Sequence, residues 1–294
     1  MKIIGVVFNC CFLIMILLEP LCSQDTDLPS GPFFGETPPG HEPKIFSIDC
    51  LSKDRVVGFT ISPDGNEIYY CKFIANNPNI FFTEIVNGQW TLPQLSQFNE
   101  DYFGGPPHIS PDGKKLYWRS SKPFPNDWAG TKPQPGTKEA IQYWVLERSG
   151  NVWINPRPLK LPISLKTNLL GISTTVEGTI YTSISSQMVR FCKHNNLYKE
   201  AEGLPRFLHG HSPAIAPDES FLVFVKGTPR KLYVSFRDKN DSWTQPQSLG
   251  DEINMKKMNG YPSITPDSRY LFFTVDHKLY WVRTAIIKKL RNIK

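Results

Sequence analysis

The 294-residue chain contains no C-x-x-C pair, no HExxH, no P-loop and no G-x-G-x-x-G run. These absences exclude a zinc ribbon, a zincin site, a P-loop nucleotide site and a Rossmann dinucleotide turn. Cysteine is scarce. Of six, Cys10, Cys11 and Cys22 lie in or beside an N-terminal apolar stretch, which leaves Cys50, Cys71 and Cys192. Three widely spaced cysteines make no disulfide framework, so the expectation is one bridge or three free thiols, with the core holding the fold. No apolar run reaches the roughly 20 residues of a membrane-spanning helix. The longest, Ile3 to Leu18, has 16 residues and includes Asn9. The formal charge is +6, but Lys288, Lys289, Arg291 and Lys294 supply four of those charges at the very end. A terminal cluster is not the basic stripe that nucleic acid requires, and no nucleic-acid partner is expected.

Turn formers and aromatics are abundant: 26 Pro, 20 Gly, 19 Phe, 11 Tyr and 7 Trp. That mixture argues against a helical bundle and for many short strands separated by turns. A 40% hydrophobic content supports a packed core. Residues 1–23 have the layout of a signal peptide: Lys2, the apolar stretch, Glu19-Pro20, and cleavage before Gln24. The expectation is an exported protein, periplasmic or extracellular, with no transmembrane span after cleavage. Lipidation at Cys22 is the alternative, although Leu21 stands where a bacterial lipobox carries a small residue.

An internal repeat organises the remainder. Ile61-Ser62-Pro63-Asp64-Gly65, with the apolar Ile68-Tyr69-Tyr70 after it, returns as Ile109-Ser110-Pro111-Asp112-Gly113 before Leu116-Tyr117-Trp118. It returns again as Ile215-Ala216-Pro217-Asp218 before Phe221-Leu222-Val223-Phe224, and as Ile264-Thr265-Pro266-Asp267 before Tyr270-Leu271-Phe272-Phe273. A degenerate copy, Thr175-Val176-Glu177-Gly178-Thr179, fills the gap, and the steps between copies are 48, 64, 42 and 49 residues. The long step carries a Pro/Gly/Lys-rich insertion around residues 121–140. Each copy reads as a strand, a tight turn whose Asp caps backbone N–H groups, and a second apolar strand. A third strand follows, then an outer segment with Trp three residues before Pro (Trp90 and Pro93, Trp153 and Pro156, Trp243 and Pro246), where Pro forfeits no needed ladder bond.

Four antiparallel strands in such a period predict an all-β fold, a β-propeller over residues 41–283. The last repeat lacks its outer strand, and Pro43 precedes Pro63 by the same 20 residues that separate Pro246 from Pro266. The expectation is five blades, with the N-terminal strand completing the last; a diverged sixth blade is the alternative. Residues 24–40 form a Pro/Gly-rich lead-in, and 284–294 a basic tail with a short helix. These Ser-Pro-Asp-Gly turns and paired aromatic strands resemble the WD-like β-propeller repeat of the TolB type. The resemblance covers residues 41–283. It implies an exported bacterial protein that acts by binding envelope proteins, although the helical N-terminal domain that TolB carries has no counterpart here.

Candidate chemistry is sparse. Asp64, Asp112, Asp218 and Asp267 occupy equivalent turns far apart around a ring, so they are expected to cap those turns. Gly210-His211-Ser212-Pro213-Ala214 mimics a nucleophile elbow, but at the entry to an inner strand rather than between strand and helix. His209 and His211 are alternate residues entering that strand, and His108 has a comparable place in the second blade. Three imidazoles at one channel mouth would suit a divalent metal. The ligand-binding candidates are therefore His108, Arg119, His209, His211, Lys226, Asn259 and Tyr261, with no catalytic residue assigned. The expected function is a non-catalytic binding or scaffold protein of the cell envelope, a monomer whose propeller face meets a protein or glycan partner. The alternative is a carbohydrate-active hydrolase or lyase at the channel mouth, aided by a metal. Asn240-Asp241-Ser242 is a glycosylation sequon by pattern alone.

Overall fold

The computed structural model describes residues 32–46, 55–74, 77–98, 105–126, 141–163, 169–195, 197–201, 204–255 and 257–291. The signal layout, Cys22, Cys50, the start of the lead-in, most of the insertion and Lys294 lie outside the described residues. The described residues form five blades of antiparallel strands. A two-residue strand β1 (Lys44–Ile45) precedes blade 1, which comprises β2 (Val56–Ile61), β3 (Glu67–Ile74), β4 (Asn77–Val86) and an outer edge split into β5 (Gln89–Trp90) and β6 (Gln94–Leu95). Blade 2 is β7 (His108–Ile109), β8 (Lys115–Ser120), β9 (Gln142–Ser149) and β10 (Val152–Pro158). Blade 3 is β11 (Leu169–Thr174), β12 (Ile180–Ile184), β13 (Gln187–His194) and β14 (Leu197–Glu200). Blade 4 is β15 (His211–Ile215), β16 (Phe221–Lys226), β17 (Lys231–Phe236) and β18 (Gln247–Ser248). Blade 5 is β19 (Asn259–Ile264), β20 (Tyr270–Val275) and β21 (Lys278–Arg283), and β1 is its fourth strand.

Proline explains the broken outer edges. Pro93 separates β5 from β6, and Pro246 separates the bridge Arg237–Trp243 from β18, because neither proline has an N–H for the ladder. In blade 2 the edge runs through Pro156 by means of a bulge, with Asn155 at φ 56.

The hydrophobic core lies between the blades, in five clusters that each join two neighbours. Period-2 alternation produces this arrangement. In β16, Phe221, Val223 and Val225 face blade 5, whereas Leu222 and Phe224 face blade 3. A strand covered on both faces reads as a continuous apolar run, as Phe221–Val225 does. Each such side chain contributes about 1.5–3 kcal/mol on burial.

Closure is completed by the N-terminal segment. Lys44 and Ile45 pair with Trp281 and Tyr280, and the Phe46 N–H donates to the Leu279 carbonyl at 2.9 Å. Ahead of β1, a single turn at Pro32–Gly35 holds Phe33 and Phe34 at φ 53 and 57. Phe34 stacks on Trp90 of blade 1 with ring centroids 3.9 Å apart, while Phe33 meets Tyr270, Phe272 and Trp281 of blade 5. The lead-in thus bridges the first and last blades with aromatic rings. Cys71 and Cys192 are free thiols. No helix among the described residues is long and apolar enough to cross a membrane.

Candidate functional site

The inner strands enter the channel through a shared irregularity. Ladder register places Ile61, Ile109, Thr174, Ile215 and Ile264 at equivalent positions, opposite Ile68, Leu116, Ile180, Leu222 and Leu271. Three residues earlier stand Gly58, Pro106, Gly171, Ser212 and Tyr261. In blades 1, 3, 4 and 5 the register shifts across this point, a bulge in the inner strand. The bulge demands positive φ: Gly58 at 150°, Gly171 at 82°, Ser212 at 52° and Tyr261 at 46°. A Cβ on Gly58 would lie 2.5 Å from Cβ of Pro106, and one on Gly171 would lie 2.7 Å from Cα of Ser212. Glycine is required there because the next blade's Pro106 ring and Ser212 backbone come too close for a side chain.

These bulges, with Phe73 and Arg230 from the hairpins beside them, surround a cavity of about 330 Å3 at one end of the channel. That volume lies at the lower end of the range for small-molecule sites, roughly 300–1,000 Å3. Of the seven candidate ligand-binding residues, His108, Arg119, His211 and Tyr261 line it. His209, Lys226 and Asn259 do not. His209 is exposed and bridges to Gln187 of blade 3. Lys226 extends over the Tyr233 ring, 5.8 Å from its centre. Asn259 is buried, and its amide donates to the carbonyls of Asn254 and Lys257.

His108 is committed to the fold. Its Nε2 accepts the backbone N–H of Thr174 in blade 3 at 3.0 Å and lies 2.9 Å from the Thr174 hydroxyl. The same inner-strand position in blade 1 is Thr60, whose Oγ1 accepts the Ile109 N–H at 3.0 Å. In blade 3 it is Ser173, whose Oγ accepts the Ile215 N–H at 3.1 Å. His108 is therefore the middle member of a series of side-chain acceptors, each holding the next blade. An acceptor Nε2 requires the neutral imidazole with its proton on Nδ1. Burial pushes the group down to about 3, in keeping with that state.

His211 does face the cavity, with Nδ1 3.1 Å from Ser212 Oγ. Burial, then the nearby Arg230 charge, holds it below its ordinary value of 6.5. The three histidines do not converge, and no group of three or more His, Cys, Asp or Glu among the described residues is placed to hold a metal. Ser212 sits within strand β15, so the strand-to-helix turn of a nucleophile elbow is not formed. Its positive φ is the common demand of the bulge.

The turn aspartates lie at the opposite end of the strands. Asp64 accepts from the Ser62 hydroxyl and the Asn66 N–H, Asp112 from Ser110 and the Lys114 N–H, and Asp267 from Thr265 and the Arg269 N–H. Asp218 accepts both the N–H and the hydroxyl of Ser220, because Ala216 replaces the hydroxyl residue of the other copies. Burial alone would raise Asp64, but these hydrogen bonds outweigh it and hold the carboxyl below its usual range. At that same end the Arg148 guanidinium grips both Glu67 oxygens across blades 1 and 2 and stacks 4.1 Å from the Trp153 ring. A second network joins Tyr181 and Arg190 of blade 3 to Glu219, Arg237 and Asp241 of blade 4.

Arg230 and Phe73 were not among the sequence candidates. Both sit in hairpins between second and third strands, where the repeat offers no fixed residue. The bulges themselves had a signal: Gly58 and Gly171 fall at one repeat position with Ser212 and Tyr261.

No protein-family profile matches the chain, and no curated protein is similar to it in sequence. Some solved structures are distantly similar to it. TolB from Acinetobacter baumannii is 14% identical with a TM-score of 0.44, over 78% of this chain and 54% of that one. The chain thus spans about half the length of that structure. Hydrazine synthase of Kuenenia stuttgartiensis is 14% identical with a TM-score of 0.42, over 78% of this chain and 71% of that one. Oligogalacturonate lyase from Vibrio parahaemolyticus is 15% identical with a TM-score of 0.37, over 76% of each chain. At these identities and scores the likeness assigns no role to this chain.

Proposed function

We propose that the chain is a non-catalytic binding protein of the cell envelope that takes its ligand at the channel mouth. The observation that carries this reading is the lining of the cavity, which among the described residues includes two arginines and two histidines but no Asp or Glu. Hydrolysis of a glycosidic bond ordinarily uses a pair of carboxylates across the bond, and the described residues of the mouth supply none. Of its two imidazoles, His108 is committed to Thr174 and is not free for proton transfer. What the mouth offers is a wall of four strand bulges completed by Pro106 of blade 2, an aromatic rim at Phe73 and Tyr261, and positive charge. Rigid walls with a few fixed polar groups are the ordinary form of a small-molecule site.

The test is a thermal-shift screen of the chain from Gln24 against neutral sugars, sugar acids and small organic acids, repeated with Ser263→Phe. Ser263 lines the cavity, and a phenyl group there fills it. A ligand at one hundred times its Kd raises stability by about 2.7 kcal/mol, a readable shift. The reading expects at least one class to stabilise the wild type and not the variant. A shift of equal size in both proteins, a flat screen, or turnover of the sugar ligand would each overturn it.

A further inference from the structure

The lining of the mouth specifies the charge of what enters it, an inference that rests on the binding reading above. Arg119 is engaged within the chain, and its charge is felt by the buried Tyr143 hydroxyl next to the Gly171 bulge. Arg230 differs. Its backbone is fixed, since its carbonyl accepts the Asn259 N–H at 3.2 Å. Its guanidinium has no carboxylate and no hydrogen-bond partner among the described residues, although it lies close enough to His211 and His277 to disfavour protonation of both. This half-buried guanidinium thus has two imidazoles near it and, among the described residues, no ion pair with a carboxylate.

The rest of the mouth narrows the ligand. Its walls are apolar: Pro106, Pro107, Pro213 and Pro262 carry no N–H, and Leu170 and Ile172 add aliphatic surface. Phe73 is 40% exposed at the rim, and Tyr261 projects from its bulge at the same mouth. Apolar walls with exposed rings suit a flat ring; one unpaired guanidinium suits one planar anion held by two parallel hydrogen bonds.

We propose that the channel mouth binds a small ring-bearing carboxylate, with Arg230 as the charge partner and Phe73 and Tyr261 against the ring. A sugar acid and an aromatic acid present that same chemistry.

The experiment is calorimetric titration of the chain from Gln24 with sodium D-glucuronate, sodium benzoate and D-glucose at low and moderate salt. It is repeated with Arg230→Gln, whose melting curve checks that it folds, and with Ser263→Phe. At least one acid should bind at least tenfold more tightly than glucose, weaken with salt, and lose that advantage in Arg230→Gln. Glucuronate as the tighter acid assigns a sugar source, and benzoate an aromatic one. Failure of both acids to bind overturns the proposal, as does an advantage that survives Arg230→Gln. If glucose binds as well as the acids and all binding is lost in Ser263→Phe, the charge inference falls while the mouth remains the site. If acid binding is unchanged in Ser263→Phe, the mouth reading itself falls.

Discussion

Acid should loosen the ring at His108, and the effect is large enough to isolate. In the folded protein Nε2 accepts the Thr174 N–H, and burial holds the imidazole at about 3, whereas the unfolded chain titrates near 6.5. The unfolded state therefore binds the proton first. Stability from this group is intact above pH 6.5 and declines as pH falls, by about 1.4 kcal/mol per pH unit until the folded value is approached. By pH 4 the loss is roughly 3 kcal/mol, a large part of a typical domain's stability. Other groups also titrate in this window, so the comparison must be made against a variant. His108→Thr is apt, because Thr60 makes the equivalent bond in blade 1 without a titrating group. At pH 7 this replacement should cost about 1 kcal/mol or less through lost packing, with the hydrogen bond retained. Urea unfolding of both proteins at pH 7, 5.5 and 4 reads the difference. The wild type should lose stability faster below 6.5, and the two curves should cross or meet near pH 5 to 6. Parallel curves would refute the assignment of Nε2 as a buried acceptor.

Three further outcomes follow from the packing and charge described above. Phe34→Ala removes the ring stacked on Trp90 and should destabilise the protein by about 3–5 kcal/mol, read as a fall in the urea midpoint; a change under about 1 kcal/mol would mean that the lead-in does not seal the ring. Arg148→Ala strands Glu67 and uncovers Trp153, and should cost about 1–3 kcal/mol, with most of the loss retained in Arg148→Lys because a lysine cannot bind both oxygens. Because burial and Arg230 keep His211 below 6.5, affinity for glucuronate should stay level from pH 8 to 6.5 and rise in more acid buffer, as a proton on His211 joins Arg119 and Arg230; His211→Gln should abolish the rise, which calorimetry at each pH would detect.

The blades were legible because their determinants are local. Ser62-Pro63-Asp64-Gly65 encodes its own turn through hydrogen bonds spanning a few residues, and the alternation in Phe221–Val225 states that both faces are covered. Even the closing strand was legible, since the Pro43 to Pro63 interval repeats that of Pro246 to Pro266. The site was only partly legible. The approach to the inner strand in each repeat puts His108, His211 and Tyr261 at the mouth, but the state of His108 depends on Thr174 in another blade. The spacing of His209 and His211 suggested a shared face, yet His209 precedes the strand and pairs outward with Gln187. Arg230 had no signal, because what distinguishes it is that no carboxylate among the described residues pairs with it, a property of converging blades.

The pairing of β1 with β21 has a consequence for the order of events during synthesis. The Phe46 N–H waits for the Leu279 carbonyl, and Phe34 packs in the same cluster as Trp281 and Phe272. The ribosome makes Phe46 long before it makes Leu279. Blades 1 to 4 can assemble as they emerge, each leaning on its predecessor, but blade 1 keeps an uncovered aromatic flank throughout. Contacts between the two ends of a chain are the slowest to form. The nascent protein therefore spends its longest interval as an open arc, and that flank is where a chaperone would hold it or a second arc would join it by mistake.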